Sequence, residues 1–322
     1  IVRMRYLRMR SYDIIHAFDT RPTVIIPALY FQKRIGVPLI IDWGDWWGRG
    51  GAINLRKPWI LNKLFEPVET HFEEYYKLKA NVLTTVSAAL RDRAIKLGIS
   101  ENSIEIIPNG SDTESIKPTT KVSARKLLGL SRTSYLLIFS SFVLYDLKFV
   151  LESFKKVLAR IPETQLILTG EISPITSQIV GDFVRSGKVI QTGLLPRKKL
   201  AMYLSASDIC LLPLSDTLTN RARYPGKLGD YVAASRPVVA NPIGDIARHF
   251  QENRIGLLAK PNTEDFAEKI VHLLGDKTLR SELGNNARIF AEEKHSWEIY
   301  AQKLETIYLK ALTLSAASST RG

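Results

Sequence analysis

The chain has 322 residues, of which 45% are apolar and 9% aromatic, enough to bury one large core or two ordinary ones. Its 45 Lys and Arg against 32 Asp and Glu give a net charge of +13, but the basic residues are spread along the chain without zinc-finger spacing, an RNP-type aromatic motif or a basic zipper, so nucleic acid is not an expected partner. The single cysteine, Cys210, excludes a disulfide framework and a cysteine-based zinc site, and no apolar run approaches the roughly 20 residues that cross a bilayer; a cytoplasmic protein, peripheral to a membrane at most, is expected.

In chain order, the opening IVRMRYLRMR alternates arginine with apolar residues and lacks the apolar centre of a signal peptide. YDIIHAF, VPLIID, VLTTVS and IEIIPN then read as strands, with a helical pattern over 88–97. The second of these strands runs into DWGDWWGRGG, residues 42–51. Two acids, three tryptophans and a glycine-rich turn at a strand's C-terminal end suit a sugar platform, because aromatic faces stack on sugar rings and carboxylates bind hydroxyls. Asp45 is the first choice there, with Asp42 and Trp43 second, since alternation puts residues 43 and 45 on one face.

Periodicity lapses over NGSDTESIKPTTKVS, residues 109–123, which marks a domain boundary. Beyond it YLLIFSS, TQLILTG, KVIQTG, ICLLPL and RPVVAN read as strands, interleaved with helical patterns at 149–159, 198–205 and 263–274. Alternation of this kind means parallel sheets covered on both faces, a doubly wound α/β fold. In RYPGKLGDYVAASRPVVA, residues 223–240, a helix of about two turns is predicted from Lys227, with Pro225 and Gly226 just ahead of it and a first turn that offers backbone N–H groups to an anion. The tail SAASSTRG is expected to be disordered.

Taken together and in order, LTTVSAALRDRAIKLGISENSIEIIPNGSDTESIKP (83–118), YPGKLGDYVAASRPVVANPIG (224–244), IGLLAKPNTEDFAEKIVHLLGD (255–276) and HSWEIYAQKLETIYLKAL (295–312) resemble family 4 glycosyltransferases, retaining enzymes of the GT-B fold. The resemblance covers residues 11–313. It implies two Rossmann-like doubly wound parallel-sheet domains facing a cleft. Residues 1–115 would form an acceptor-side domain, shortened at its start, and 116–295 the nucleotide-sugar domain. A helix at 296–313 would return to the first domain, ahead of a disordered tail at 314–322.

The implied activity is transfer of a sugar from a nucleotide-sugar donor to a glycan or lipid-linked acceptor, with an anionic membrane surface as a further candidate partner and without a metal or other cofactor. Asp230 corresponds to the carboxylate that holds the ribose hydroxyls. Lys227, Arg223, Tyr224 and Gly226, together with Ser140, Ser141 and Lys148, are the candidates around the nucleotide and its diphosphate. His16, in DIIHAFD, and Asp45 are the catalytic candidates on the acceptor side, and Lys227 on the donor side.

Several features depart from the family pattern, among them Asp230 in place of the usual glutamate and Gly44 in place of a histidine. Ala222 replaces a glutamate that contacts the donor sugar, Phe18 replaces a second histidine, and FSSFVLYDLKFV lacks the usual arginine–lysine pair. These departures keep two alternatives open, a non-catalytic partner subunit and a nucleotide-sugar epimerase or phosphorylase of the same fold.

Overall fold

The structure is a computed structural model that describes residues 11–55, 59–140, 144–171 and 173–319. The chain divides into two compact units: Ile1–Pro108 with Thr217–Tyr224 and Tyr300–Gly322, and Asn109–Asp216 with Pro225–Ile299.

In the first unit, β1 (Ile15–Phe18), α1 (Pro22–Ile35), β2 (Leu39–Trp43), α2 (Trp59–Lys77), β3 (Val82–Thr85), α3 (Ala88–Lys96) and β4 (Ile104–Ile106) alternate. The strands are parallel and lie in the order β1-β2-β3-β4, as right-handed crossovers through intervening helices produce. Pro22 opens α1 at a position where its missing N–H is harmless, and Gly36, at φ 71°, closes it in the left-handed region. Ser87 caps α3 by accepting from the Leu90 N–H.

The second unit begins with α4 (Lys121–Leu128), β5 (Tyr135–Ser140), α5 (Leu144–Leu158), β6 (Thr164–Thr169), α6 (Pro174–Arg185), β7 (Val189–Gly193), α7 (Arg197–Ala206) and β8 (Ile209–Leu212). The chain then forms α8 (Leu218–Ala222) before α9 (Gly226–Ala233), β9 (Val238–Ala240), α10 (Ile246–Asn253), β10 (Gly256–Leu258), α11 (Thr263–Gly275), α12 (Lys277–Glu293) and α13 (Trp297–Ser319). Its six parallel strands lie in the order β10-β9-β8-β5-β6-β7. The winding direction reverses between β5 and β8, and in such sheets the crevice beyond the strands' C-terminal ends at the reversal is where ligands bind. Apolar residues of the strand runs read from sequence in this unit, Leu137, Phe139, Leu166, Leu168, Ile209, Leu211 and Val239, join one core with Phe154, Phe266 and Ile270.

Three boundaries differ from the sequence reading. Residues 217–224, expected in the second domain, belong to the first unit, because α8 packs on α3 and the Ser87 hydroxyl donates to the Ala222 carbonyl. The first unit ends at Pro108 rather than residue 115. Helix α13 also continues through the predicted disordered stretch to Ser319, consistent with the high helix propensity of its alanines; residues 320–322 lie outside the described residues. On α13, Ile307 and Ala311 pack with Ile40 and Val82, and Lys303 and Lys310 donate to the carbonyls of Ile106 and Asn102 at 3.0 and 3.1 Å, all within the first unit. Among the described residues, no helix is long and apolar enough to cross a membrane.

Candidate functional site

In the second unit, α9 is fastened to the C-terminal end of β5. Lys227 and Tyr231 stand four residues apart, hence on one helix face, and both reach Ser140. The Lys227 ammonium donates to the Ser140 carbonyl at 3.0 Å, and the Ser140 N–H donates to the Tyr231 hydroxyl at 3.0 Å. The Ser140 hydroxyl pairs with Thr169 at the end of β6, 2.7 Å away. Helix α9 starts at Gly226, one residue ahead of the predicted Lys227, with Pro225 as its extended cap. Gly229 lets it approach the Asn109-Gly110 turn: a Cβ at Gly229 would lie 2.7 Å from the Gly110 carbonyl oxygen. The end of β5, helix α9 and the Asn109-Gly110 turn therefore meet at the point where the sheet's winding reverses.

Asp230 lies on the same helix, with its carboxylate 3.0 Å from the Arg197 guanidinium, which also reaches Asp112 at 3.2 Å. Burial raises the Asp230 pKa and Arg197 opposes the rise. Nothing in the spacing of Arg197 from residue 230 signals this pairing in the sequence. Lys148 is exposed on α5, and Ser141 lies outside the described residues. Arg223 and Tyr224 differ from expectation. They lie in the segment assigned to the first unit, where the Arg223 charge acts on Asp45.

The first unit places its own candidates at the C-terminal ends of β1 and β2. The loop 42–51 is not the exposed tryptophan platform expected. Trp43 is 1% exposed and donates its indole N–H to Glu73 at 2.9 Å, while Trp46 and Trp47 are half-buried. The same carboxylate accepts the N–H groups of Trp47 and Gly48 at 2.8 and 2.6 Å and pairs with Arg93 at 3.1 Å. Arg93 in turn lies over the Trp46 ring at 3.8 Å, and Arg21 over Trp47 at 4.5 Å. The loop glycines serve packing: a Cβ at Gly48 would meet Glu73 and Thr70, and one at Gly51 would lie 2.2 Å from the Trp46 carbonyl. Asp42 is tied to the Thr84 hydroxyl at 2.7 Å. Asp45 is half-buried, and burial raises its pKa; Arg223 opposes that shift most, whereas Asp19 and Glu73 add to it.

Beside this loop is a cleft of about 340 Å³ lined by Asp19, Arg21, Trp47, Phe65, Glu69 and Phe72, among others. Asp19 holds φ 82°, a conformation that costs a non-glycine residue about 1–3 kcal/mol and that recurs at ligand sites. Its carboxylate accepts the Thr20 N–H at 2.6 Å and pairs with Arg21 at 3.1 Å. His16 stands apart from that group. Its Nδ1 lies 2.8 Å from the Tyr308 hydroxyl, its ring stacks on Phe18 at 4.2 Å, and burial lowers its pKa, so the neutral imidazole is favoured. Glu73, Arg93, Thr70 and Lys77 escaped the sequence reading; the only signal was a charged helix, α2, whose acids recur near the loop's partners.

Lys77 gives a pH-dependent test of this arrangement. It is 1% exposed, donates to the Asp42 carbonyl at 2.7 Å, and burial pushes its pKa down to about 8 from 10.5. Between those two values the unfolded chain binds the extra proton, so stability from this group rises with pH across the window and is lowest below about pH 8. Lys77→Met should therefore gain stability relative to the parent at pH 7, by roughly 2 kcal/mol: the lowered pKa costs the parent about 3.5 kcal/mol at about 1.4 kcal/mol per pKa unit, and loss of the hydrogen bond to the Asp42 carbonyl offsets about 1 kcal/mol of that; the advantage should be lost by pH 10.5. Urea unfolding at both pH values checks this; an unchanged difference between the two proteins would contradict it.

The model described as glycosyl transferases group 1 matches residues 134–276, and that described as Glycosyltransferase Family 4 matches residues 3–115. The MMP alpha-(1->4)-mannosyltransferase of Mycolicibacterium hassiacum is 23% identical over 241 residues, 73% of this chain and 55% of that enzyme. Thus the chain matches only about half the length of that curated relative. Among solved structures, sucrose-phosphate synthase from Thermosynechococcus elongatus superposes with a TM-score of 0.74 at 18% identity, covering 96% of this chain and 76% of that one. The Anabaena protein HepE in complex with UDP superposes at 0.73 and 17% identity, covering 98% and 81%.

Proposed function

Because the chain belongs to the family 4 glycosyltransferases and shares their GT-B fold, we propose that it is a retaining glycosyltransferase that moves a sugar from a nucleotide-sugar donor to a glycan or lipid-linked acceptor. The observation that carries this reading is the fastening of α9 to Ser140 at the sheet's reversal point through Lys227 and Tyr231, with Asp230 beside them. Asp230 is assigned to the ribose hydroxyls, with Arg197 orienting its carboxylate. The bound nucleotide of HepE makes UDP the first nucleotide to try.

The diphosphate's charge is assigned to Lys227 and the first-turn N–H groups of α9 rather than to a metal. In the proposed reaction the bond from the sugar's anomeric carbon to the phosphate oxygen breaks, the acceptor oxygen bonds to that carbon on the same face, and the acceptor's proton passes to the departing phosphate. No protein nucleophile is needed. The cleft beside Asp19 and Trp47 is assigned to the acceptor, and Asp45, which is not among the cleft's lining residues but feels the charges of Asp19 and Arg21, is assigned as the acid that orients a sugar hydroxyl.

Asp45→Asn should lower transfer by about tenfold or more, a loss typical of a positioned hydrogen-bonding carboxylate, while nucleotide affinity stays within about twofold. Equal losses in transfer and nucleotide binding would refute the acceptor-side assignment. The second reading, a non-catalytic subunit, is favoured by Ala222, which is fully buried and supplies no carboxylate to a donor sugar. Nucleotide-sugar binding without turnover of any acceptor would select it.

A further inference from the structure

Helix α2 is amphipathic in the inverted sense. Its inward positions are polar: Asn62, Thr70, Glu73 and Lys77 are all buried. Its outward positions in the first half are mostly apolar: Trp59, Ile60, Leu61, Leu64, Phe65 and Val68 are 48 to 68% exposed, beside the exposed Lys63. Ile60, Leu64 and Val68 repeat at helical spacing, with Leu61 and Phe65 alongside, so these residues make one continuous stripe over the helix's first half. A stripe of this size on a water-exposed surface marks a contact.

The charge around it indicates what it contacts. From Trp46 to Phe65 the sequence carries Arg49, Arg56, Lys57 and Lys63 and no acid, with Asp45 before this run and Glu66 and Glu69 after it, the last two partly buried. Lys63 and Arg49 are exposed, and the Lys63 ammonium lies 5.2 Å from the Trp59 ring centroid. A tryptophan and basic side chains beside exposed aliphatics suit the boundary of a bilayer, where rings and methylenes enter the acyl edge and ammonium groups meet anionic headgroups.

We propose that the N-terminal half of α2 docks the protein on an anionic lipid surface. Phe65 and Val68 belong both to this stripe and to the wall of the cleft beside Asp19. An acceptor anchored in that surface would thus enter the cleft from the membrane. This last step rests on the acceptor reading given above; the docking itself does not.

The test uses the whole chain with phosphatidylcholine vesicles and with vesicles containing phosphatidylglycerol. Co-sedimentation at low salt should favour the anionic vesicles by about tenfold and weaken as salt is raised. The double variant Ile60→Ser, Leu64→Ser, which alters only exposed positions outside the cleft lining, should lose about tenfold in vesicle binding through its smaller apolar area. It should retain nucleotide affinity and transfer to a water-soluble acceptor. Equal binding of parent and double variant, or no preference for anionic vesicles, would overturn the proposal. So would a parent dimer that the variant dissociates while neither binds vesicles, since a second copy of the chain would then cover the stripe. Vesicle binding that persists in a chain inactive toward every acceptor would leave docking standing and remove the acceptor reading alone.

Discussion

Glu73→Ala is expected to destabilise the first unit by about 3 kcal/mol, near the lower end of the range for breaking a buried ion pair. One carboxylate accepts from Trp43, Trp47 and Gly48 and faces Arg93, and at 3% exposure no water replaces it when it is removed. Arg93 keeps Glu74 at 2.7 Å, which limits the loss. The released loop would carry Asp45 with it, so transfer should fall together with stability. Glu73→Gln should restore only part of the stability, because an amide presents one oxygen and one donor to a set of donors. The check is urea unfolding followed through tryptophan fluorescence. A loss below about 1 kcal/mol, the scale of one ordinary hydrogen bond, would show that the loop is held by other means.

Asp230→Ala should weaken nucleotide binding by about 1.5–3 kcal/mol, the range for hydrogen bonds to a charged group. The structure makes this prediction sharper, because Asp230 is already paired with Arg197 and Arg197 with Asp112. If the carboxylate itself meets the ribose, Arg197→Ala should cost less than Asp230→Ala, since it removes only the group that orients the acid. If the pairing matters only for packing, the two variants should lose affinity equally. Isothermal titration with a nucleoside diphosphate separates the two results, and unchanged affinity of Asp230→Ala with the fold intact would remove the ribose assignment.

The second unit was legible because its signals are local. Apolar runs such as Leu136 to Phe139 and Ile209 to Leu212 are buried on both sheet faces and read as continuous strands, and Pro225-Gly226 marks a helix start by backbone geometry alone. The parallel arrangement of the strands also follows from their alternation with helices, because parallel strands need crossovers; their order in the sheet does not. What sequence could not show was pairing at long range. Glu73 lies 30 residues from Trp43, and Arg197 lies 33 from Asp230; neither spacing carries a periodic signature.

The tryptophans misled for a related reason. Composition places an aromatic near a glycine turn, but whether the ring faces water depends on a distant acceptor for its N–H, here on α2. Segment 217–224 was misassigned because its position is decided by the Ser87–Ala222 contact and not by the strand that precedes it. Helix α2 itself is harder to read by pattern, since its polar face is the buried one.

Nucleotide binding by the second unit, proposed at the end of β5 through α9, is open to a thermal-shift panel of UDP, GDP and ADP with their sugars. A ligand that binds only the folded chain stabilises it by about 2.7 kcal/mol at a hundredfold excess over its dissociation constant, and a domain of ordinary size then melts several degrees higher. One nucleoside family is expected to raise the melting temperature of the parent protein, the nucleotide-sugar and its diphosphate should share this preference, and Asp230→Ala should abolish most of the shift. A flat response to every nucleotide at millimolar concentration, or an equal shift in Asp230→Ala, would contradict it.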